Sequence, residues 1–418
     1  MASNDLLAVS MIGSGEYTTG FVGSGASPSD KKIGVVGLTL FDLRRRGKVG
    51  KLSIVGTSGS KFPSVREHFK KNIEDAYKGM DCSFESFPGD QEKDAEAYKK
   101  AIDQLPKGSA ITIFTPDSTH FPIALYAIER GIHVLVTKPA TQLLSHHQEL
   151  IAAAEKHGVF VMVEHHKRFD PVYGDAKAKA ALLGEFNYFN SYMSQPKTQL
   201  ETFKAWAGQD SDISYYLNSH HIDIHVWSVG DRAVPVKVTA SASRGTAETD
   251  CGCVAGTEDT ISLLVEWKST KSEKHFGTAI YTASWTAPVG VGVHSDQRFH
   301  YMGAKGEIHV DQAKRGYSVG LDNSGISWIN PFYMKYPPNE AGEFDGQRGY
   351  GYVSIEKFID GCIAVNSGKT TPADLDRIGL PTIRNTVLTT AILEAGRKSL
   401  DEKRSVSIEK HEETWTLK

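Results

Sequence analysis

The chain has 418 residues, 40% apolar and 23% charged, with a formal net charge of −3 and four cysteines. This length calls for two domains with a core each. A charge so near balance excludes electrostatic capture of nucleic acid or an anionic membrane, and no apolar run reaches the roughly 20 residues that span a bilayer. Cys82, Cys251, Cys253 and Cys362 are too few for a disulfide framework, and MASNDLLAVSM lacks a basic leader region, so a reducing, cytoplasmic location is expected.

The first 165 residues alternate apolar runs with amphipathic stretches, as a parallel sheet with crossover helices requires. Strands are read at 6–13, 51–57, 82–87, 110–116, 132–138 and 158–165, and helices at 92–105, 121–131 and 144–158. An N-terminal Rossmann dinucleotide-binding domain over 1–165 is the predicted arrangement. From about Asn187 the segments become short, aromatic and β-rich, with Gly and Pro turns, predicting an α/β domain over 166–418 on an open, mainly antiparallel sheet. One helix interrupts it at 213–230. The helices VSIEKFIDGCIA and LPTIRNTVLTTAILEAGRKSL are expected to finish the chain, with packing back on the first domain left open.

Two segments compete for the phosphate loop. In MIGSGEYTTG, Gly13 and Gly15 have the one-residue spacing that brings backbone to a pyrophosphate, which makes Gly13, Ser14, Gly15, Glu16 and Tyr17 candidate cofactor residues. The third fingerprint position falls on Thr18. KKIGVVGLTLFDLRRRG reads instead as the crossover helix, with Val36, Leu40, Phe41 and Leu43 as its apolar face and Gly47 as its stop. SGASPSDKK is then an insertion near the cofactor mouth. At the end of the second strand, KLSIVGTSGSK offers no carboxylate for a ribose 2′-hydroxyl. Thr57, Ser58, Ser60 and Lys61 are available to a 2′-phosphate, which favours NADP, with NAD left open.

FTPDSTHFPIALYAIERGIHVLVTKPAT resembles the TP-x-x-x-H and A-x-x-G-x-H-V-x-x-E-K-P block of the Gfo/Idh/MocA oxidoreductase family. EHHKRFDPVY resembles its N-R-R-F-x-P segment, and NSHHIDIHVWSVG its G-x-H-x-x-D-x-x-x-W-x-x-G helix; SYMSQP, YTASWTAP and GAKGEIHVD follow in the same order. The resemblance implies an NAD- or NADP-dependent oxidoreductase moving a hydride to or from a hydroxyl-bearing carbon of a sugar, sugar acid or cyclic polyol. It carries over Lys138 and His220 as the catalytic pair and places Thr115, Pro116, His120 and Lys138 beside the cofactor. It also implies a homodimer or homotetramer joined through the second-domain sheet.

The chemistry suits such a pair, since imidazole can take a hydroxyl proton near neutral pH while an ammonium stabilises developing alkoxide charge. Two departures stand out. Thr137 replaces the glutamate before the lysine, and Tyr216 replaces an aspartate four residues before the histidine. Tyr216 is read either as a partner of His220 in orienting substrate and moving its proton, or as a core tyrosine. Lys167 and Trp206 are further substrate-side candidates; Trp285, Phe332 and Tyr333 are cleft aromatics or packing. Arg168 and Asp223 read as structural. His221 and His225 have the spacing of a helical zinc pair, with His165 and His166 as further imidazoles and Cys251–Cys253 a lone C-x-C, yet no metal is expected. A dinucleotide sensor without turnover and an imine or aldehyde reductase are the rival readings.

Overall fold

Five runs of buried aliphatic residues and one short edge strand form one parallel sheet in the computed structural model, which describes residues 6–418 apart from 24, 28 and 30. Ser24, Pro28 and Asp30 of the predicted insertion therefore lie outside the described residues. The strands are β1 (Leu7–Ile12), β2 (Val49–Val55), β3 (Glu85–Phe87), β4 (Ala110–Ile113), β5 (His133–Thr137) and β6 (Val161–Glu164). Their spatial order is β3-β2-β1-β4-β5-β6, a doubly wound Rossmann sheet whose order reverses between β1 and β4. A crevice opens there, over the C-terminal strand ends. The predicted runs overshoot at those ends: Phe114–Pro116 and Lys138 lie beyond the last ladder residues, in loops facing the crevice.

Helix α1 (Val35–Arg45) is the delayed crossover from β1 to β2, and every residue from Val35 to Leu43 is buried. Between β1 and α1 the chain makes a single helical turn, Glu16–Thr19, stopped by Gly20 at φ 72°. It then runs out through a small ribbon, Phe21–Val22 against Gly25–Ala26. The insertion returns to the same spot. A Cβ on Gly34 would lie 2.5 Å from the Thr18 carbonyl oxygen, and one on Gly37 would lie 2.8 Å from it. The close approach normally given by the third fingerprint glycine is thus supplied from the far end of the insertion.

The second sheet comprises β7 (Phe186–Pro196), β8 (Ala233–Arg244), β9 (Glu258–Ser269), β10 (Phe276–Ala287), β11 (Asp296–Gly303), β12 (Gly306–Asp311), β13 (Val406–His411) and β14 (Thr414–Leu417). Its order is β12-β11-β7-β10-β9-β8-β13-β14, antiparallel throughout except for the parallel pair β7–β10. One face, with Phe189, Trp267, Tyr281 and Trp285, is buried in a core shared with α7 (Ser219–Val229) and α9 (Val387–Glu402). The helices predicted to finish the chain do not. β13 and β14 follow α9, and the signal was the alternation in SVSIEKH, where Val406 and Ile408 point inward.

Helix α8 (Tyr350–Asn366) packs on the first domain, where Ile355, Phe358 and Ile359 join the core with Val36 and Phe41 of α1. Tyr352 donates to fully buried Asp42 at 2.6 Å, and Lys48 bridges Glu356 and Asp360 at 2.7 Å each. All four cysteines are free and buried. Among the described residues no helix is long and apolar enough to cross a membrane.

Candidate active site

The turn after β1 is wedged between its neighbouring strands. Gly13, at φ 107°, donates its N–H to Val55 O at 2.9 Å, and a Cβ there would fall 2.1 Å from Phe114 O. Gly15 is the opposite case: a Cβ on it would meet nothing within 4 Å, so the front of the turn is open. Lys61 reaches back from the end of β2 and donates to Ser14 O at 2.9 Å; burial lowers its amine pKa. Thr57 and Ser58 lie at the same strand end, with Ser58 Oγ 3.0 Å from Ser60 Oγ and Lys93 opposite Ser58 in an isolated bridge. A tight backbone at Gly13, open space at Gly15 and an ammonium beside Ser14 fit the pyrophosphate of a dinucleotide. Glu16 is otherwise engaged, accepting from Ser27 and, at 2.7 Å, from Ser29, which ties the insertion to the turn. Tyr17 stacks on Phe114 at 4.9 Å and accepts from Tyr333 at 2.8 Å.

Across the crevice His120 has both ring nitrogens beside backbone carbonyls, Pro139 O at 2.8 Å and Thr115 O at 2.9 Å. It ties the loop after β4, with Thr115 and Pro116, to the loop carrying Lys138. Asp117 on the first loop accepts from Ser211 Oγ at 2.5 Å, and burial raises its carboxyl pKa.

Lys138, just past β5, donates to the Tyr216 carbonyl and lies 4.1 Å from the centre of that ring. Burial pushes its amine down to about 8 against the opposing pull of Asp117 and Glu164. His220 enters from α7. Burial holds its pKa well below the ordinary imidazole value, and the charges of Lys167, Lys138 and His166 add to the effect. Its Nδ1 is buried without a partner among the described residues. Lys167 is pushed down to about 7 by burial and donates to Gln297 on β11. Tyr216 sits in a π-helical segment, Ser214–Asn218, that leads into α7; such bulges re-aim side chains at functional sites. Trp206 lies 5.3 Å from Tyr216 and 6.0 Å from Trp285, whose indole donates to Glu258 O in the core.

Sequence reasoning passed over Glu164 and weighed His166 only as a further imidazole. Glu164 ends β6, is 1% exposed, and accepts from His166 Nδ1 at 2.8 Å. Its other oxygen is buried without a partner among the described residues. The His166 ring lies 5.4 Å from that of His220 and stacks on Tyr350 at 5.6 Å. Setting HHKRFDP against N-R-R-F-x-P puts His166 on the pattern's asparagine, which was the available signal. Other candidates are spent on structure. Arg168 holds Asp223 in a buried bidentate pair at 2.8 and 2.6 Å, His221 bonds the Tyr173 hydroxyl, and His225 bonds that of Tyr281. Phe332 is exposed under Arg315.

A Rossmann crevice with a lysine at the end of the fifth strand and a histidine from the second domain defines a dinucleotide-dependent type of site. Residues 51–165 match the Gfo/Idh/MocA family, described as an oxidoreductase family with an NAD-binding Rossmann fold. Inositol 2-dehydrogenase 4 of Saccharopolyspora erythraea is 41% identical over 295 residues, 65% of this chain and 79% of that protein. The chain belongs to the Gfo/Idh/MocA oxidoreductase family. It is also 32% identical over 223 residues to the NAD(+) scyllo-inositol 2-dehydrogenase of Bacillus subtilis, which covers 52% of this chain and 60% of that one. With other curated relatives the alignment covers 40% and 42% of the relative's length. The fold is shared with the crystal structure of myo-inositol 2-dehydrogenase from Lactobacillus plantarum, at a TM-score of 0.64 and 18% identity over 97% of this chain and all of that one.

Proposed function

We propose that the chain is an NADP-preferring dehydrogenase acting on a hydroxyl-bearing carbon of a sugar, sugar acid or cyclic polyol, with inositols first among them. The observation that carries this reading is the presence of Lys138 and His220 in one buried electrostatic cluster at the strand ends beside the Gly13–Tyr17 turn. When bound at that turn, held by Gly13, Ser14, Gly15 and Lys61, the nicotinamide cofactor supplies or accepts the hydride.

The chain's own residues manage the hydroxyl. The Lys138 ammonium binds the substrate oxygen and stabilises negative charge growing on it. His220, kept neutral by burial, takes the hydroxyl proton at its ring nitrogen in the oxidative direction. Glu164 holds His166 at its Nδ1 and so fixes that ring beside His220. Tyr216 and Trp206 wall the substrate side, and Lys167 is placed for the carboxylate of a sugar acid. The NADP preference is supported by the hydroxyls of Thr57, Ser58 and Ser60, by Lys61 and Lys93, and by the lack of a carboxylate at 56–58. The same reading has the protein working as a homodimer or homotetramer through the second sheet.

A screen of inositols, sugars and sugar acids with each nicotinamide cofactor, read by absorbance, tests it. Turnover with a polyol and a lower KM for NADP+ than for NAD+ is expected; a clear NAD+ preference overturns the cofactor assignment.

A further inference from the structure

A separate set of ligating side chains lies on the second sheet. β11 and β12 pair antiparallel at its edge, with His300 directly opposite His309 and Met302 opposite Glu307. Because a strand alternates faces with period two, His300, Glu307 and His309 share one face. It is turned away from the core that buries Phe299, Tyr301 and Val310. The two imidazoles stack with centroids 4.1 Å apart and planes 16° from parallel. Their Nε2 atoms converge on the same oxygen, Glu307 Oε2, at 2.9 Å from His300 and 3.6 Å from His309. All three donor atoms lie within 4.8 Å of one another.

We propose that His300, Glu307 and His309 bind a divalent cation of the Zn²⁺ class. Tetrahedral zinc with bonds of about 2.0–2.1 Å has donor–donor edges of about 3.3 Å. The two measured N–O separations straddle that spacing. An ordinary ion pair needs one imidazole, whereas here a second is brought against the first and onto the same oxygen. Two imidazoles and one carboxylate select borderline metals such as zinc or copper over magnesium and calcium, which prefer oxygen donors. Binding uses the in-plane Nε2 lone pair of each ring, moving its proton to Nδ1; the two rings must turn out of their parallel stack for both lone pairs to meet one ion, which leaves a fourth position for water. Arg298, the neighbouring cation on this face, is paired with Asp296 and stacked on Tyr192. Among the described residues β12 pairs only with β11, so the bound ion staples the edge of the sheet across the strands. This site is independent of Lys138 and His220 and stands or falls apart from the proposed reaction.

The test uses the full, tag-free chain stripped with a chelator and titrated with Co²⁺ alone, then with Zn²⁺ as competitor. The expected result is a visible d–d absorption of tetrahedral character saturating at one equivalent per chain and bleached by Zn²⁺. The band should be lost in His300→Ala and in His309→Ala, weakened in Glu307→Gln, and kept in His275→Ala, which alters an exposed histidine elsewhere. No band in the wild type under excess Co²⁺, or an unchanged band in both His300→Ala and His309→Ala, overturns the proposal.

Discussion

Burial decides when Lys138 is charged. Its amine falls from 10.5 to about 8, so the ammonium dominates below pH 8 and is lost above it. If the ammonium is the working form, kcat/KM declines as pH rises through about 8. Lys138→Arg stays charged at every accessible pH, so the expected outcome is a lower kcat with that alkaline limb removed. A limb unchanged in the arginine variant would take Lys138 out of the pH dependence. Lys138 and His220 were legible because short motifs carry them. The partnership of Glu164 with His166 was not, because the turn after β6 creates it and no spacing rule announces it.

Within the first βαβ unit, two glycines separate folding from binding. Gly37 faces Thr18 O so closely that a side chain must displace backbone, whereas Gly15 has ordinary φ and open space before it. Gly37→Val should therefore lower stability by about 1–3 kcal/mol in urea unfolding. Gly15→Ala should leave the unfolding midpoint in place and raise KM for the dinucleotide. Equal midpoints for both variants, or an unchanged KM in Gly15→Ala, would contradict this division. GVVGLTLFDLRRR read correctly as the crossover helix, which begins at Val35, because a βαβ crossover needs more chain than a direct link to β2 allows. That the insertion closes back on Thr18 was not legible, since the contact lies between segments and the third fingerprint glycine is displaced along the chain. The family match begins at residue 51, beyond this device. The final strands were missed for a plainer reason: a strong helical period in α9 drew attention from the weak alternation after it.

Across the whole molecule, buried neutral histidines tie the two domains to pH. His147 on α5 (Leu144–His157) lies 2.8 Å from Thr390 Oγ1 and 2.6 Å from Ile383 O, with its pKa pushed down to about 4 by burial. His165 is likewise pushed to about 4. An imidazole whose folded pKa lies below its unfolded one stabilises the fold fully above about 6.5, and this stability is lost as pH falls toward 4, where the unfolded chain binds more protons. For His147 the span amounts to about 3 kcal/mol. The melting temperature should fall steeply between pH 6.5 and 4, and His147→Gln should flatten part of that fall in calorimetry. Equal pH slopes in both proteins would remove His147 from the effect. The Rossmann order and the mainly antiparallel second sheet were legible in the period change near residue 187, because period is a local property. How α8 seals the first domain was not, because the ion pairs of Lys48 with Glu356 and Asp360 are long-range.

Steady-state turnover of a polyol with NADP+, measured side by side for wild type, Lys138→Ala and His220→Ala, bears most directly on the proposed chemistry. The prediction is a fall in kcat of roughly 10²–10⁴-fold in each variant, with cofactor affinity nearly unchanged. Near-normal turnover in both variants would contradict it.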